Sequence, residues 1–216
     1  MGDLYFNGTK LAGGKQVKFN GTNMANVYFN GTKVWTAYIP SAQAYTSSAT
    51  YTIDDSETSI QWKISGGGGG GGGNQCTLGT QPGGAGGATT ITVKDSSGNV
   101  RATLGTAAGG AGGAVGAGSS QGHTKDFAIP SGFANPPWSS LISDGGQQGN
   151  GEENCVAGGV GDRGAHASGT YTINNDGNDA TLTITIGGGG SAGQRGETQQ
   201  PEAGVGGAAW ILGVQG

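Results

Sequence analysis

Glycine at every third position is the feature of this sequence that most constrains its fold. Eight consecutive glycines occupy residues 66–73, and glycine recurs with a spacing of three in 83–88, 109–117, 158–164, 187–196 and 204–207. This period matches the polyproline II helix, which has about three residues per turn and no internal hydrogen bonds. A glycine face allows another backbone to lie against it. The runs therefore predict a bundle of polyglycine II helices held together by hydrogen bonds between neighbours.

The composition of each run predicts its position in such a bundle. A Gly-Gly-X run keeps one face for side chains, whereas the all-glycine run 66–73 can be surrounded on every side and is expected at the centre. The alternative is that the runs are flexible linkers. A linker has no reason to repeat every third residue, so the bundle is the favoured interpretation.

Glycine is unevenly distributed along the chain. It accounts for 50 of 216 residues, about 23% against a usual share of roughly 7%. Residues 1–65 contain six glycines and residues 66–216 contain forty-four. This shift predicts one domain over 1–65 and a second over 66–216. Because only 33% of residues are apolar, a core of the size found in an ordinary enzyme is hard to build.

The motif Phe-Asn-Gly-Thr occurs three times near the N-terminus, at 6–9, 19–22 and 29–32. Asn-Gly adopts a type I′ turn at little cost, and alternating apolar residues flank each motif. We therefore predict three short β-hairpins. Arranged around an axis they would share one small core and form a plug for the end of a threefold-symmetric homotrimer, the alternative being a plain β-meander. Asn-Gly-Thr is also a glycosylation sequon, but turn geometry already explains both residues.

Three further regions, 50–65, 90–104 and 170–186, alternate Thr or Tyr with Ile, Val or Leu around polar turns. Each is predicted to be a β-hairpin. No window combines a helical period with helix caps, so essentially no α-helix is expected. The predicted fold class is mostly β and irregular, with N-terminal β-hairpin repeats followed by a bundle of polyglycine II helices with connecting hairpins and loops.

Runs that pass back and forth place their connections alternately at two ends of a bundle. If the N-terminal hairpins mark a proximal end, all three Thr-rich hairpins lie there, and 74–82, 119–157 and 197–203 lie at the distal end. Cys76 and Cys155 then both fall in distal segments, where they could pair as a disulfide. Trp210, Ile211 and Leu212 are expected to pack against the proximal hairpins.

Groups that carry chemistry are sparse in this chain. An enzyme needs titratable residues to converge, and the sequence offers His123, His166, two cysteines and scattered carboxylates. No ligand cluster indicates a metal or another cofactor, and the GxGxxG match at 159–164 follows from the glycine period. A net charge of −4 with ten isolated Lys and Arg argues against a nucleic-acid partner. Neither a secretory leader nor a membrane span is recognised. We expect a protein that is not an enzyme.

The triple Phe-Asn-Gly-Thr head, followed by period-three glycine runs and variable loops, resembles the tip adhesins of long tail fibres in T-even-type bacteriophages. The resemblance implies a small N-terminal domain attached to a trimeric tail-fibre protein and a polyglycine II body. Its loops would bind a bacterial outer-membrane protein or a surface polysaccharide. It also implies a protein that is synthesised in the host cytoplasm, carried on the virion at the fibre tip, and monomeric in isolation.

The resemblance also assigns roles to residues. Fibre attachment falls on the apolar hairpin residues Phe6, Phe19, Val27, Phe29, Val34 and Trp35. Receptor binding falls on 75–81, 123–143 and 197–202, with candidate contacts at Gln75, Thr77, Leu78, Phe127, Phe133, Pro136, Pro137, Trp138, Gln199 and Gln200. Rigid aromatic and proline residues at an exposed tip are typical of binding hot spots. The alternative for Phe133, Trp138 and Leu141 is that they pack a small core within the loop.

A function of another class is also compatible with the composition. An ice-binding or structural glycine-rich protein could present a flat Ala and Thr face of a polyglycine II bundle. The tripled hairpin head has no role in ice binding, and the aromatic residues of 127–138 would interrupt a flat face. These two features favour the adhesin.

Overall fold

A computed structural model describes residues 42–54, 57–73, 81–116, 158–174, 179–193 and 201–215, together with six short strands between residues 4 and 36. Every regular element in these ranges is a β-strand. The mostly β class without α-helix is therefore confirmed for this part of the chain. This part of the chain contains no helix with the length and hydrophobicity of a membrane span.

Three two-stranded hairpins form near the N-terminus, as the Phe-Asn-Gly-Thr motifs predict. Strands β1 to β6 are Leu4–Phe6, Thr9–Leu11, Lys18–Phe19, Thr22–Asn23, Asn26–Phe29 and Thr32–Thr36. They pair antiparallel as β1 with β2, β3 with β4 and β5 with β6. In each hairpin the Phe of the motif is opposite its Thr, which leaves the two-residue Asn-Gly connection between the strands.

Two antiparallel four-stranded sheets follow. Their strands are β7 Gln43–Tyr45, β8 Ala49–Thr52, β9 Glu57–Ser65, β10 Thr89–Lys94, β11 Val100–Ala107, β12 His166–Thr172, β13 Thr181–Thr185 and β14 Ala208–Gln215. One sheet has the order β11-β10-β13-β8 and the other has the order β12-β9-β14-β7. All neighbouring strands within both sheets are antiparallel.

Only one of the three predicted Thr-rich hairpins is a hairpin. Strands β10 and β11 pair directly, whereas β8 and β9 lie in different sheets, as do β12 and β13. The strands exchange partners instead, so that β8 pairs with β13 and β9 pairs with β12. We call β8 with β9 the first unit and β12 with β13 the second unit. Because each unit crosses from one sheet to the other, both of its strands face one shared core, in which Tyr51 of β8 and Ile60 of β9 are both buried. The hairpin prediction for 50–65 and 170–186 was therefore wrong.

The hydrophobic core lies between the two sheets. β9 contributes Ile60, Trp62 and Ile64 on one face, and the other members come mainly from β10, β13 and β14. Ile211 of β14 is fully buried in this core. Trp210, Ile211 and Leu212 were expected to pack against the proximal hairpins. The strand that contains them, β14, pairs with β9 and β7, neither of which belongs to a hairpin in the described residues.

Each glycine run is continuous with a strand. We number the glycine segments I (66–73), II (81–88), III (108–116), IV (158–165), V (187–193) and VI (201–207). β9, β11 and β13 lead into I, III and V, while II, IV and VI lead into β10, β12 and β14. The sheets therefore adjoin one end of all six segments. The connections 74–80, 117–157 and 194–200 begin and end at the other.

Segment I lies at the centre of the glycine segments. All eight of its N–H groups donate to neighbouring segments over 2.8–3.2 Å, and the recipients alternate with a period of three. Residues 66, 69 and 72 donate to IV, residues 67, 70 and 73 to II, and residues 68 and 71 to VI. Segments III and V donate back to carbonyls of segment I. The register makes II, IV and VI antiparallel to segment I, and makes III and V parallel to it.

Close backbone approach explains why side chains are missing from the centre. A Cβ added to Gly69 would lie 1.9 Å from the carbonyl oxygen of Ala111, and one added to Gly70 would lie 1.9 Å from that of Ser191. No carbon atom fits at these distances. By contrast, nothing lies within 4 Å of a Cβ built on Gly188, which is exposed.

The change in glycine content near Ser65 coincides with the passage from β9 into segment I. Strands β7, β8 and β9 precede this point, and all three pair with strands that follow it. Residues 43–65 therefore share their sheets with the later part of the chain. The assignment of 1–65 to fibre attachment remains a prediction.

Candidate functional site

The end of the glycine segments away from the sheets is the candidate site, and we call it the loop-bearing end. It is defined by the six residues that flank the three connections: Gly73, Gln81, Gly116, Gly158, Gly193 and Pro201. They come from all six glycine segments. Three separate parts of the chain therefore leave the same end of one scaffold.

The last residues of segment I tie this end together. The N–H of Gly73 donates to Gln81 at 3.2 Å, and its carbonyl accepts from Gly116 at 3.3 Å. The N–H of Gly71 donates to Glu202 at 2.9 Å, and its carbonyl accepts from Gly193 at 2.8 Å. Gly72, between them, donates to segment IV at 2.8 Å. Three consecutive central residues thus fix the starting points of all three connections.

The packing at this end leaves no room for a side chain at two of the flanking glycines. A Cβ on Gly158 would lie 1.9 Å from the carbonyl oxygen of Gly72, and one on Gly193 would lie 2.4 Å from that of Gln81. Pro201 is buried here as well. Hydrogen bonds and close backbone packing make this end a rigid base for the segments that leave it.

Two of the predicted receptor-binding ranges have one end in the described chain. Gln81 closes the range 75–81 and Glu202 closes the range 197–202, and both are exposed. They bond to Gly73 and Gly71, which are only two residues apart in segment I. The structure therefore places the described C-terminal residues of these two ranges at the same end of the scaffold.

The individual receptor contacts predicted from the sequence fall in parts of the chain that the structure does not describe. They are Gln75, Thr77, Leu78, Phe127, Phe133, Pro136, Pro137, Trp138, Gln199 and Gln200. Cys76 and Cys155, the predicted disulfide pair, also lie outside the described residues. These assignments remain predictions.

The predicted attachment residues lie in the N-terminal hairpins. Phe6, Phe19 and Phe29 each end the first strand of a hairpin, immediately before its turn. Val27 is opposite Trp35 in the third hairpin, and Val34 precedes that Trp in the same strand. The structure describes the backbone of these strands and not their side chains, so attachment stays a prediction.

Two carboxylates stabilise the crossings between the sheets. Glu57 accepts hydrogen bonds from the Tyr51 hydroxyl and, at 3.1 Å, from the N–H of Asp54. In the second unit Asp179 accepts from the Tyr171 hydroxyl at 2.7 Å and from the N–H of Asn174 at 3.0 Å. In both cases the N–H belongs to the third residue after the Tyr.

The second carboxylate also makes an ion pair, because the Nε of Arg101 lies 3.1 Å from Oδ1 of Asp179. Sequence reasoning missed these two carboxylate sites. The sequence signal that could have found them is the repeated Thr-Tyr-Thr-Ile at 50–53 and 170–173. Glu57 follows the first copy by four residues and Asp179 follows the second by six.

A buried lysine lies on the face of β9 that points away from the core. Lys63 alternates with the core residues Trp62 and Ile64, and it is directly opposite Trp210 of β14. Both Lys63 and Trp210 are buried. Burial lowers the pKa of Lys63 from 10.5 to about 8, because removal from water disfavours the charged form.

Across the ranges given above, no three His, Cys, Asp or Glu side chains come together as a metal site. At the turn between β10 and β11, hydrogen bonds from Asn99 lower the pKa of the Asp95 carboxyl, which keeps it charged. This turn is exposed and lies at the sheet end, and Gly98 in it has φ +86°.

A scan against protein-family models, a search of curated proteins and a search of solved structures each found no match to this chain.

Proposed function

We propose that the six glycine segments are polyglycine II helices and that the protein is a tail-fibre tip adhesin. The bundle would present the connections 74–80, 117–157 and 194–200 to a receptor on a bacterial surface. The N-terminal hairpins would attach the protein to a trimeric fibre. The observation that supports this most directly is the alternation of strands and glycine segments, which gathers the flanks of all three connections at one end.

The polyglycine II assignment is supported by the period of the hydrogen bonds. Successive N–H groups of segment I donate to three different neighbouring segments in turn, and every third N–H group donates to the same segment. A helix with three residues per turn has this property, whereas a β-strand addresses its neighbours with a period of two. Backbone angles near φ −75° and ψ +145° in a crystal structure would establish the helix type.

The rigid base supports a binding role. The hydrogen bonds from Gly71 and Gly73 leave little freedom at the starting points of the connections. Large variation in loop sequence is tolerated on such a scaffold because the packing depends on glycine backbones rather than on loop side chains. An adhesin whose receptor varies between hosts needs such tolerance of loop sequence.

The function can be tested by replacing the connections in the phage that carries this protein. We would replace 75–80, 122–144 or 195–200 by Gly/Ser sequences of equal length and measure adsorption to host cells. Loss of about tenfold or more, equivalent to ~1.4 kcal/mol, is expected for at least one variant. The matched control replaces the exposed turn 96–98 at the sheet end and should adsorb normally. Normal adsorption by all three loop variants would contradict the proposal.

Attachment can be tested separately. The proposal expects the purified protein to be monomeric and to bind a trimeric fibre end as one copy per trimer, because a plug with three similar hairpins matches three subunits. Mass measurement of the complex gives the ratio. A complex of three copies per trimer would contradict the plug arrangement without bearing on receptor binding.

A second candidate function is ice binding, and one observation favours it. Ala85 and Ala88 of segment II and Ala108, Ala111 and Ala114 of the adjacent segment III are all exposed. Their spacing of three residues places them in two rows on neighbouring segments. Such flat rows of small apolar groups are what an ice-binding face requires. Measurement of thermal hysteresis on the purified protein decides between the two functions, and the adhesin predicts none.

A further inference from the structure

Each of the three N-terminal hairpins contains one lysine in its strands. These are Lys10 in β2, Lys18 in β3 and Lys33 in β6, and the six strands β1 to β6 contain no Asp or Glu. The turn of such a hairpin depends on Asn-Gly and its pairing depends on the alternating apolar residues. Neither requires a lysine, so one lysine per hairpin needs a separate explanation.

The three lysines belong to the same pair in the register of each hairpin. The Phe of the motif is paired with its Thr beside the turn, and the lysine lies in the next pair along the ladder. These second pairs are Tyr5–Lys10, Lys18–Asn23 and Tyr28–Lys33. In the second hairpin the lysine is on the first strand instead of the second, which displaces it by about 5 Å across the ladder.

The lysine positions lie on the hairpin face opposite the Phe positions. Successive residues of a strand belong to opposite faces, so the Phe–Thr pair is on one face and the pair with the lysine is on the other. In the first hairpin the third pair, Leu4 with Leu11, returns to the Phe face. If the three Phe faces share one core, as the sequence predicts, the three faces with a lysine are the ones left for a partner.

The charge of the chain is divided between the hairpin region and the rest. Residues 1–41 contain four lysines and one acidic residue, whereas residues 42–216 contain six Lys or Arg and thirteen Asp or Glu. The net charge is therefore +3 in the first part and −7 in the second, which together make the −4 of the whole chain. A negatively charged partner is attracted to the hairpin region and repelled by the remainder.

We propose that Lys10, Lys18 and Lys33 each pair with one carboxylate on each subunit of a threefold-symmetric fibre end. This inference rests on the proposed attachment of the hairpins to a trimeric fibre. A partner with threefold symmetry offers the same surface three times, so it binds alike only a feature that recurs in all three hairpins. An anionic membrane is a poorer match, because it is typically bound by clusters of about 4–8 Lys or Arg, whereas here three lysines are distributed one to a hairpin.

Zero-length cross-linking of the assembled complex tests the pairing directly. The full-length protein is mixed with the purified trimeric fibre freed of its tip protein, and a water-soluble carbodiimide is added, which joins an amine to a carboxyl group only where the two are in contact. Mass spectrometry should find links from Lys10, Lys18 and Lys33 to one and the same Asp or Glu of the fibre subunit. Any other pattern of links from these lysines in an assembled complex, including none, would overturn the proposal.

Charge substitution measures what the lysines contribute to binding of the same fibre. Combining Lys10→Gln, Lys18→Gln and Lys33→Gln should slow association about tenfold or more at low ionic strength, because the electrostatic attraction is lost, and should remove most of its salt dependence. The corresponding triple Arg variant keeps the charge and should associate like the wild type.

Lys94→Gln removes a positive charge from β10, outside the hairpins, and should also associate normally. Wild-type association and salt dependence in the triple Gln variant would overturn the proposal. If the wild type itself bound no fibre at any ionic strength, the attachment on which this inference rests would be wrong, so the two failures are distinguishable.

Discussion

Tyr171 donates a hydrogen bond of 2.7 Å from its hydroxyl group to Oδ2 of Asp179, across the turn that carries the chain from one sheet to the other. Tyr51 makes the equivalent bond to Glu57 in the first unit. The crossings are also reciprocal. Ile53 N bonds to Ala180 O at 3.0 Å, and Ile173 N bonds to Thr58 O at 2.9 Å. Each unit therefore donates one backbone hydrogen bond to the other, in the part of the molecule formed by the two sheets.

Replacing Tyr171 by Phe is expected to lower the free energy of unfolding by about 1–3 kcal/mol, because Asp179 loses a partner in a site shielded from water. The measurement is urea denaturation. Tyr45→Phe is the matched control, since the Tyr45 hydroxyl bonds to Gln43 at an exposed position, and its effect should stay within about 0.5 kcal/mol. Equal effects of the two changes would show that the buried carboxylate does not stabilise the crossing.

Alanine at Gly69 should prevent the native fold or lower its free energy of unfolding by more than about 3 kcal/mol, because the new carbon would overlap the Ala111 carbonyl. Alanine at Gly188 meets no atom within 4 Å. That variant should be neutral or stabilised by up to about 1 kcal/mol, because alanine restricts the unfolded chain. Chemical denaturation of both variants gives the comparison, and tolerance of alanine at Gly69 would contradict the close backbone packing.

Trp62 is packed against two strand glycines, and this predicts a coupled pair of substitutions. A Cβ on Gly105 would lie 2.4 Å from the Cη2 of Trp62, and one on Gly169 would lie 2.8 Å from its Cζ2. Gly105→Ala should therefore destabilise the protein by about 1–3 kcal/mol. Trp62→Phe removes the outer ring atoms, so the loss from Gly105→Ala should be smaller in the Phe background.

The double-mutant cycle should give a favourable coupling of about 0.5–3 kcal/mol. Thr106→Ala, at the exposed neighbouring position, is the control and should show no coupling to Trp62→Phe. Strict additivity of Gly105→Ala and Trp62→Phe would mean that the indole ring does not determine the need for glycine at this position.

Lys63 gives a pH dependence whose sign follows from its lowered pKa. Folding holds the pKa at about 8, below the ordinary 10.5, so between these values the unfolded chain binds more protons than the folded one. Stability therefore rises with pH across this window. Denaturation at several pH values should show a smaller rise in Lys63→Met than in the wild type. Because the other groups are common to both proteins, parallel curves would contradict the burial effect.

The sequence predicted the parts of this fold that depend on local patterns. Asn-Gly between alternating apolar residues predicted three hairpins correctly, and the all-glycine composition of 66–73 predicted its central position. The exchange of partners between β8–β9 and β12–β13 was not predictable in this way. Alternation along a strand identifies its buried face but does not identify which other strand lies beside it.

For the candidate site, alternation of strands and glycine runs was sufficient to place the residues that flank the three connections at one end. The receptor contacts within the connections remain predictions. The roles of Gly105, Gly169 and Gly213 were hidden because glycine is so frequent in this chain. Each lies in a strand against a specific side chain rather than in the period-three pattern, and Gly213 packs against the Tyr51–Glu57 pair.

The central position of segment I also determines how the molecule resists force. Its eight N–H bonds point sideways to three different neighbours, so a pull between the loop-bearing end and the sheets loads them in shear. In shear the eight hydrogen bonds share the load, so they do not break one after another. A run of bare glycine, among the most pliable of sequences when alone, is held here by lateral hydrogen bonds along its whole length.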